Sequence, residues 1–93
     1  MDSKFEFPNE VEINWRDELV GKHIAIYWDG DQTYFPCTVV KYDGQRDKFH
    51  VFYESDQRKK YIENLRRTAW KIWKGSEEEY KQLYPPVVGA KFL

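Results

Sequence analysis

The feature that most limits what this chain can fold into is a period-two alternation of apolar side chains, broken at short intervals by turn chemistry. In HIAIYW (23–28), Ile24, Ile26 and Trp28 share one face. In YFPCTVVKY (34–42), Phe35, Cys37 and Val39 do, and in KFHVFY (48–53), Phe49, Val51 and Tyr53 do. Such alternation places residues i, i+2 and i+4 on one side of a strand, and no helical spacing competes with it here. Between these runs lie Asp29-Gly30-Asp31-Gln32, then Asp43-Gly44 extended to about Asp47, then Glu54-Ser55-Asp56-Gln57, all turn-forming compositions. A fourth strand is predicted over about 58–63, with Tyr61 or Ile62 facing in. A helical turn follows at Asn64-Leu65-Arg66-Arg67, then a fifth strand over about 68–73 with Trp70 and Ile72 on one face. Five short strands so close in sequence predict an all-β fold, a small closed or half-open barrel, because closure removes the exposed edges of a lone sheet. Pro36 lies within the second strand. It has no N–H for a ladder, so it belongs at an edge, a bulge or a sharp bend.

The flanks read differently. Residues 1–19 form an acidic N-terminal extension, 20–74 the barrel, and 75–93 a C-terminal helix and tail. Val11, Ile13 and Trp15 alternate within the extension, so it reads either as a linker or as a further strand lying on the barrel. Ser76 with Glu79 three residues later makes a capping box, which predicts a helix over about 77–84, ended by Pro85-Pro86. With 93 residues the chain has room for one domain. The lone cysteine, Cys37, cannot close an internal disulfide, which points to a reducing compartment. The N-terminus lacks the apolar stretch of a signal peptide, and no run approaches the ~18 apolar residues of a membrane span. The tail Val88-Gly89-Ala90-Lys91-Phe92-Leu93 ends in mid-pattern, as expected of a monomeric domain belonging to a larger protein.

Aromatic residues make up 18% of the chain, and their placement matters more than their number. Trp28 ends one strand, Phe35 starts the next and Tyr53 ends the third, all on the inward parity of their strands. In consecutive antiparallel strands those three positions lie at one rim. Tyr34 flanks them on the opposite parity, and Glu54 and Asp56 in the following turn supply negative charge. Aromatic faces attract a cation by roughly 0.5–2 kcal/mol per contact. Three walls give about 2–6 kcal/mol, or millimolar to high-micromolar binding. A methylated ammonium suits such a site because it is large and weakly hydrated.

The run VGKHIAIYWDGDQTYFPCTVVKYDGQRDKFHVFYESD, followed by YIENL and AWKIW, resembles a Tudor domain of the Royal superfamily. The likeness lies in a Gly-Lys before the first strand, a Trp at its end, an aromatic-x-x-Thr opening the second strand, Val-x-Tyr closing the third, and an acidic turn after it. The resemblance covers about residues 20–73. It implies a five-stranded SH3-like barrel and a nuclear, chromatin-associated reader of methylated lysine on a histone peptide. It also implies an aromatic cage with Trp28, Phe35 and Tyr53 as walls. Where many members place a further aromatic, this chain has Asp56, Gln57, Arg58 and Lys59, with Tyr61 the available substitute.

Other readings stay open at this point. The three inward aromatics also suit the core cap of a tiny barrel. The mouth also suits an unmodified peptide, in an interaction module without methyl recognition. Residues 58–74 carry seven bases against Glu63, while residues 1–20 carry six acids against Lys4 and Arg16. A basic face of Arg58, Lys59, Lys60, Arg66 and Arg67 is therefore a candidate contact for DNA or RNA phosphates, although a net charge of -1 argues against a general nucleic-acid glue. Tyr27, Tyr42, Phe52, Trp70 and Trp73 read as packing residues; whichever of Trp70 and Trp73 faces outward is a candidate partner contact. His23 and His50 lack a second ligand at metal spacing, and no nucleophile–base arrangement stands out. Neither enzyme activity, metal, cofactor nor membrane contact is expected.

Overall fold

The computed structural model describes residues 3–54 and 60–85. Its strands are β1 (Phe5–Glu6), β2 (His23–Trp28), β3 (Thr33–Asp43), β4 (Lys48–Tyr53), β5 (Lys60–Glu63) and β6 (Trp70–Trp73), followed by helix α1 (Glu77–Leu83). All pair antiparallel in one sheet of order β1-β6-β2-β3-β4-β5. The sheet curls around the side chains that alternation turned inward. Leu19, Ile24, Ile26, Cys37, Val39, Phe49, Val51, Tyr53, Leu65, Trp70 and Ile72 form its core, a small SH3-like β architecture.

Local chemistry explains the bends. Pro36 opposes Ala25 on β2, while its carbonyl accepts from the Glu54 N–H at 3.1 Å. In an extended strand the N–H and C=O of one residue point the same way. The missing N–H of Pro36 therefore faces Glu54, just past the end of β4, so only the last bond of that ladder is lost. Farther along β3 the register shifts between Val39 and Lys41, leaving Val40 as a bulge that increases the local twist. Gly21 enters β2 with φ +90, a left-handed conformation that suits glycine, and donates to the Val39 carbonyl at 2.7 Å.

The acidic lead-in is built into the sheet. β1 pairs with β6, placing Phe5 opposite Trp73 and Glu6 opposite Ile72, so the described residues form six strands where alternation predicted five. A two-residue strand is too short to show a period. Asn9 caps a 3₁₀ turn (Glu12–Asn14) by accepting from the Val11 and Glu12 N–H groups at 2.9 and 2.8 Å. A second 3₁₀ turn (Asp17–Leu19) drops Leu19 into the core. The Glu12 carboxylate is buried and ion-paired with Lys74. That hydrogen bond, followed by the Asn9 N–H, holds its pKa below the usual carboxylate value.

Helix α1 starts where the capping box predicts. Ser76 Oγ accepts from the Glu79 N–H at 3.1 Å, and Glu79 Oε1 accepts from the Ser76 N–H at 3.0 Å. The helix lays Tyr80 against His23, ring on ring at 3.6 Å. Gly75 is needed to reach this position, because a Cβ there would come within 2.6 Å of Trp73 Cζ2. Trp73 is the outward tryptophan of β6. It is covered by Phe5 and Tyr80 at 5.2 and 5.4 Å, and its Nε1 donates to the Ser76 carbonyl at 2.9 Å. It serves the fold as packing.

Candidate functional site

Strand pairing sets up a diagonal row of aromatic rings. Trp28 on β2 pairs with Thr33, and Phe35 stands two residues further along β3. Two residues beyond Phe35, Cys37 pairs with Tyr53 on β4. Val51, two residues before Tyr53, pairs with Tyr61 on β5. Each step to the next strand thus advances the inward position by two residues. In a barrel whose strands tilt and stagger, such a diagonal becomes a ring around one mouth. The rings do meet there, edge to face. Trp28 lies 5.6 Å from Phe35, 5.5 Å from Tyr53 and 5.8 Å from Tyr61, at 72°, 86° and 76°, and Tyr53 lies 5.3 Å from Tyr61 at 80°. Tyr53 is only 2% exposed and forms the floor; Trp28, Phe35 and Tyr61 are half-buried against the core.

The floor carries a hydrogen-bonded chain. Trp28 Nε1 donates to the Tyr53 hydroxyl at 2.9 Å, and that hydroxyl donates to Glu63 Oε2 at 2.7 Å. Burial pushes the Tyr53 pKa well above the usual phenol value; the Trp28 N–H pulls the other way, and the Glu63 carboxylate adds to the rise. The Tyr53 hydroxyl is thus both an acceptor and a donor in the chain. Aromatic faces at near right angles, with the half-buried Glu63 carboxylate hydrogen-bonded beneath them, are a chemistry suited to a soft cation. It contains no nucleophile paired with a base, and no cluster of metal-ligating residues exists among the described residues.

No family model matches the chain. One curated relative is the DNA mismatch repair protein MSH6 of Arabidopsis thaliana, 29% identical over 76 residues. The match takes in 82% of this chain but only 6% of that protein's length. Among solved structures, the Arabidopsis RDM15 tudor domain, crystallised in complex with an H3K4me1 peptide, matches with a TM-score of 0.54 and 33% identity. The match covers 59% of this chain and 91% of that domain. This chain belongs to the Tudor family.

Within the Tudor domain the residues singled out from sequence do not all converge. Trp28, Phe35, Tyr53 and Tyr61 come together, Tyr61 through the stagger of the strands. Ile62, its alternative, faces outward. Tyr34 lies apart. Its parity turns it to the outer face, where it packs on Tyr27 at 5.1 Å and Phe7 at 6.3 Å beneath the Lys71 ammonium, 4.5 Å from its ring centre. Glu54 is not at the rim either. Its Oε2 accepts from Thr38 Oγ1 at 2.6 Å and from the Tyr80 hydroxyl at 2.9 Å, which binds it to the helix side of the domain. Asp56, Arg58 and Lys59 lie outside the described residues, as does the 86–93 tail.

The acid actually beneath the mouth is Glu63. It pairs with Phe49, on the same inward parity as Tyr61. The signal was present in the alternation of β5, but a lone acid in a basic strand reads as solvated charge. Of the remaining candidate phosphate contacts, Arg66 is held by Asp47 at 3.0 Å and by the Ile13 carbonyl at 3.3 Å. Lys60 and Arg67 are exposed. Nearby, Lys74 is paired with Glu12, so the acidic lead-in neutralises part of the basic stretch.

Proposed function

We propose that this Tudor domain is a nuclear, chromatin-associated reader that holds a methylated lysine of a histone tail among Trp28, Phe35, Tyr53 and Tyr61, and performs no chemistry on it. The observation that carries this reading is the perpendicular set of four rings at one mouth, of which only the floor is sealed. Methylation enlarges the ammonium and weakens its hydration, so an aromatic mouth gains contact at a small desolvation cost. Asp29 and Asp31, exposed in the turn directly after Trp28, put negative charge where a basic peptide would approach. The H3K4me1 peptide held by the RDM15 tudor domain supports the same class of ligand here. The reading includes a larger parent protein, since a site of a few walls binds weakly and benefits from a tethered neighbour.

Calorimetric titration with an H3 tail peptide monomethylated at Lys4, and with its unmodified twin, tests the reading. The methylated peptide should bind more tightly. Trp28→Ala should weaken it by roughly tenfold to thirtyfold while the circular dichroism spectrum stays that of the folded domain. Equal binding of the two peptides would rule the reading out.

A further inference from the structure

We infer that Glu63 is the positioning residue of the aromatic mouth: through the Tyr53 hydroxyl it fixes the plane of Trp28 and enriches its ring as a wall for a cation. The inference rests on the reading of that mouth as a cation site. Its geometric half can be measured without any ligand.

The direction of the chain admits one assignment. An indole nitrogen can only donate. The Tyr53 oxygen therefore accepts from Trp28 Nε1–H, and its own single hydrogen goes to Glu63 Oε2. The donor sequence ends on a carboxylate oxygen. Charge-assisted bonds are the stronger kind, and each bond in such a chain polarises the next. Tyr53, held to a carboxylate, becomes a better acceptor for the indole N–H. The indole in turn gains electron density, which deepens the negative face that attracts an ammonium.

Orientation follows from the same contacts. Trp28 closes β2 at the start of a turn and is half-buried, so packing alone covers only part of its surface. Its single N–H is committed to Tyr53, which is fully enclosed and cannot turn aside. The plane of the half-exposed wall is thus set by a buried group. Glu63 stands on the inward parity of β5, opposite Phe49, and is half-buried. A carboxylate directed inward from a strand loses hydration that an apolar residue would not. The Tyr53 bond compensates part of that loss, and the relay gives the charge a use that simple packing would not require.

Two variants test this. Glu63→Gln keeps an acceptor of the same shape and removes the charge. Tyr53→Phe keeps the ring and cuts the chain. The readouts are the Trp28 Nε1–H resonance in a ¹H–¹⁵N spectrum of the free domain and the affinity for the monomethylated peptide. In Tyr53→Phe the indole resonance should move upfield and exchange faster with water. In Glu63→Gln it should move part of the way, and affinity should drop roughly threefold to tenfold in both. A purely structural role for Glu63 would leave the Gln variant unchanged in both readouts, and that result overturns the proposal. If the indole resonance responds while the wild-type domain binds no methylated peptide, the relay stands and the reader function falls.

Discussion

Two of the aromatic clusters on this one small sheet differ in what closes them. On the helix side, Phe5, Trp73, Tyr80 and Tyr84 meet at centroid distances between 5.0 and 6.3 Å, with His23 stacked on Tyr80. At the mouth, Trp28, Phe35, Tyr53 and Tyr61 meet at similar distances. Ring contacts alone would not tell them apart. Polar groups do. On the helix side they are spent on the scaffold: the Tyr80 hydroxyl donates to Glu54, and Thr38 Oγ1 donates its only hydrogen to the same carboxylate oxygen. His23 Nδ1 must then donate to Thr38, while Nε2 faces Glu77 at 2.8 Å. At the mouth the polar chain runs from Trp28 through Tyr53 to Glu63, beneath half-buried rings. An aromatic cluster becomes a candidate binding site when its hydrogen bonds lie beneath it, and glue when they lie around it.

The largest expected effect breaks the glue. Tyr80→Ala removes a side chain that is 2% exposed and should cost about 3–5 kcal/mol of unfolding free energy, measured by urea denaturation. Peptide affinity of the molecules that remain folded should hardly change. A loss of affinity at full folding would mean that the two clusters are coupled. Phe35→Ala at the mouth should do the reverse, with affinity falling roughly tenfold and stability falling by less than half as much as for Tyr80→Ala. Ser76→Ala removes the helix cap and should cost about 1 kcal/mol, seen as a drop of about 4–8 °C in melting temperature, with the mouth untouched.

The smallest effect is acid-dependent and belongs to the flanks. The hydrogen bond from Lys4, followed by the Ser76 N–H, holds Glu79 at a pKa of about 2, and Glu12 is lowered by Lys74. Groups with depressed pKa stabilise the fold above their unfolded value and lose that contribution as pH falls through the folded one. Melting temperature should therefore decline between about pH 4.5 and pH 2. Lys4→Ala should flatten that decline slightly, since the Lys4–Glu79 pair is exposed and such pairs contribute little.

Much of this arrangement was legible in the sequence because alternation reports which face a side chain takes. The predicted ends of β2 and β4 match the observed ones, and parity alone put Trp28, Phe35 and Tyr53 on the inner face. What parity cannot report is stagger. Tyr61 reaches the mouth through a two-residue advance per strand, which is a property of pairing and not of any one segment. Glu54 read as an acid beside the mouth, yet its partner Tyr80 is 26 residues away on a helix whose docking the strand pattern does not specify. Glu63 went unnoticed because sequence does not give the hydrogen-bond partner of a single carboxylate, here the Tyr53 hydroxyl. β1 was missed because its two residues take strand form only through pairing with β6.

The diagonal row has a thermodynamic consequence. It takes one ring from each of four strands, and no single hairpin carries more than two of them. The unfolded chain therefore has nothing to offer a ligand of the mouth, and any such ligand must bind the folded state alone. Occupancy and folding then become linked. A peptide at a hundred times its Kd should raise the unfolding free energy by about 2.7 kcal/mol, however weak the complex is in absolute terms. For a domain this small, that is a sizeable share of the few kcal/mol by which such folds persist. The melting temperature would then report the concentration of free partner.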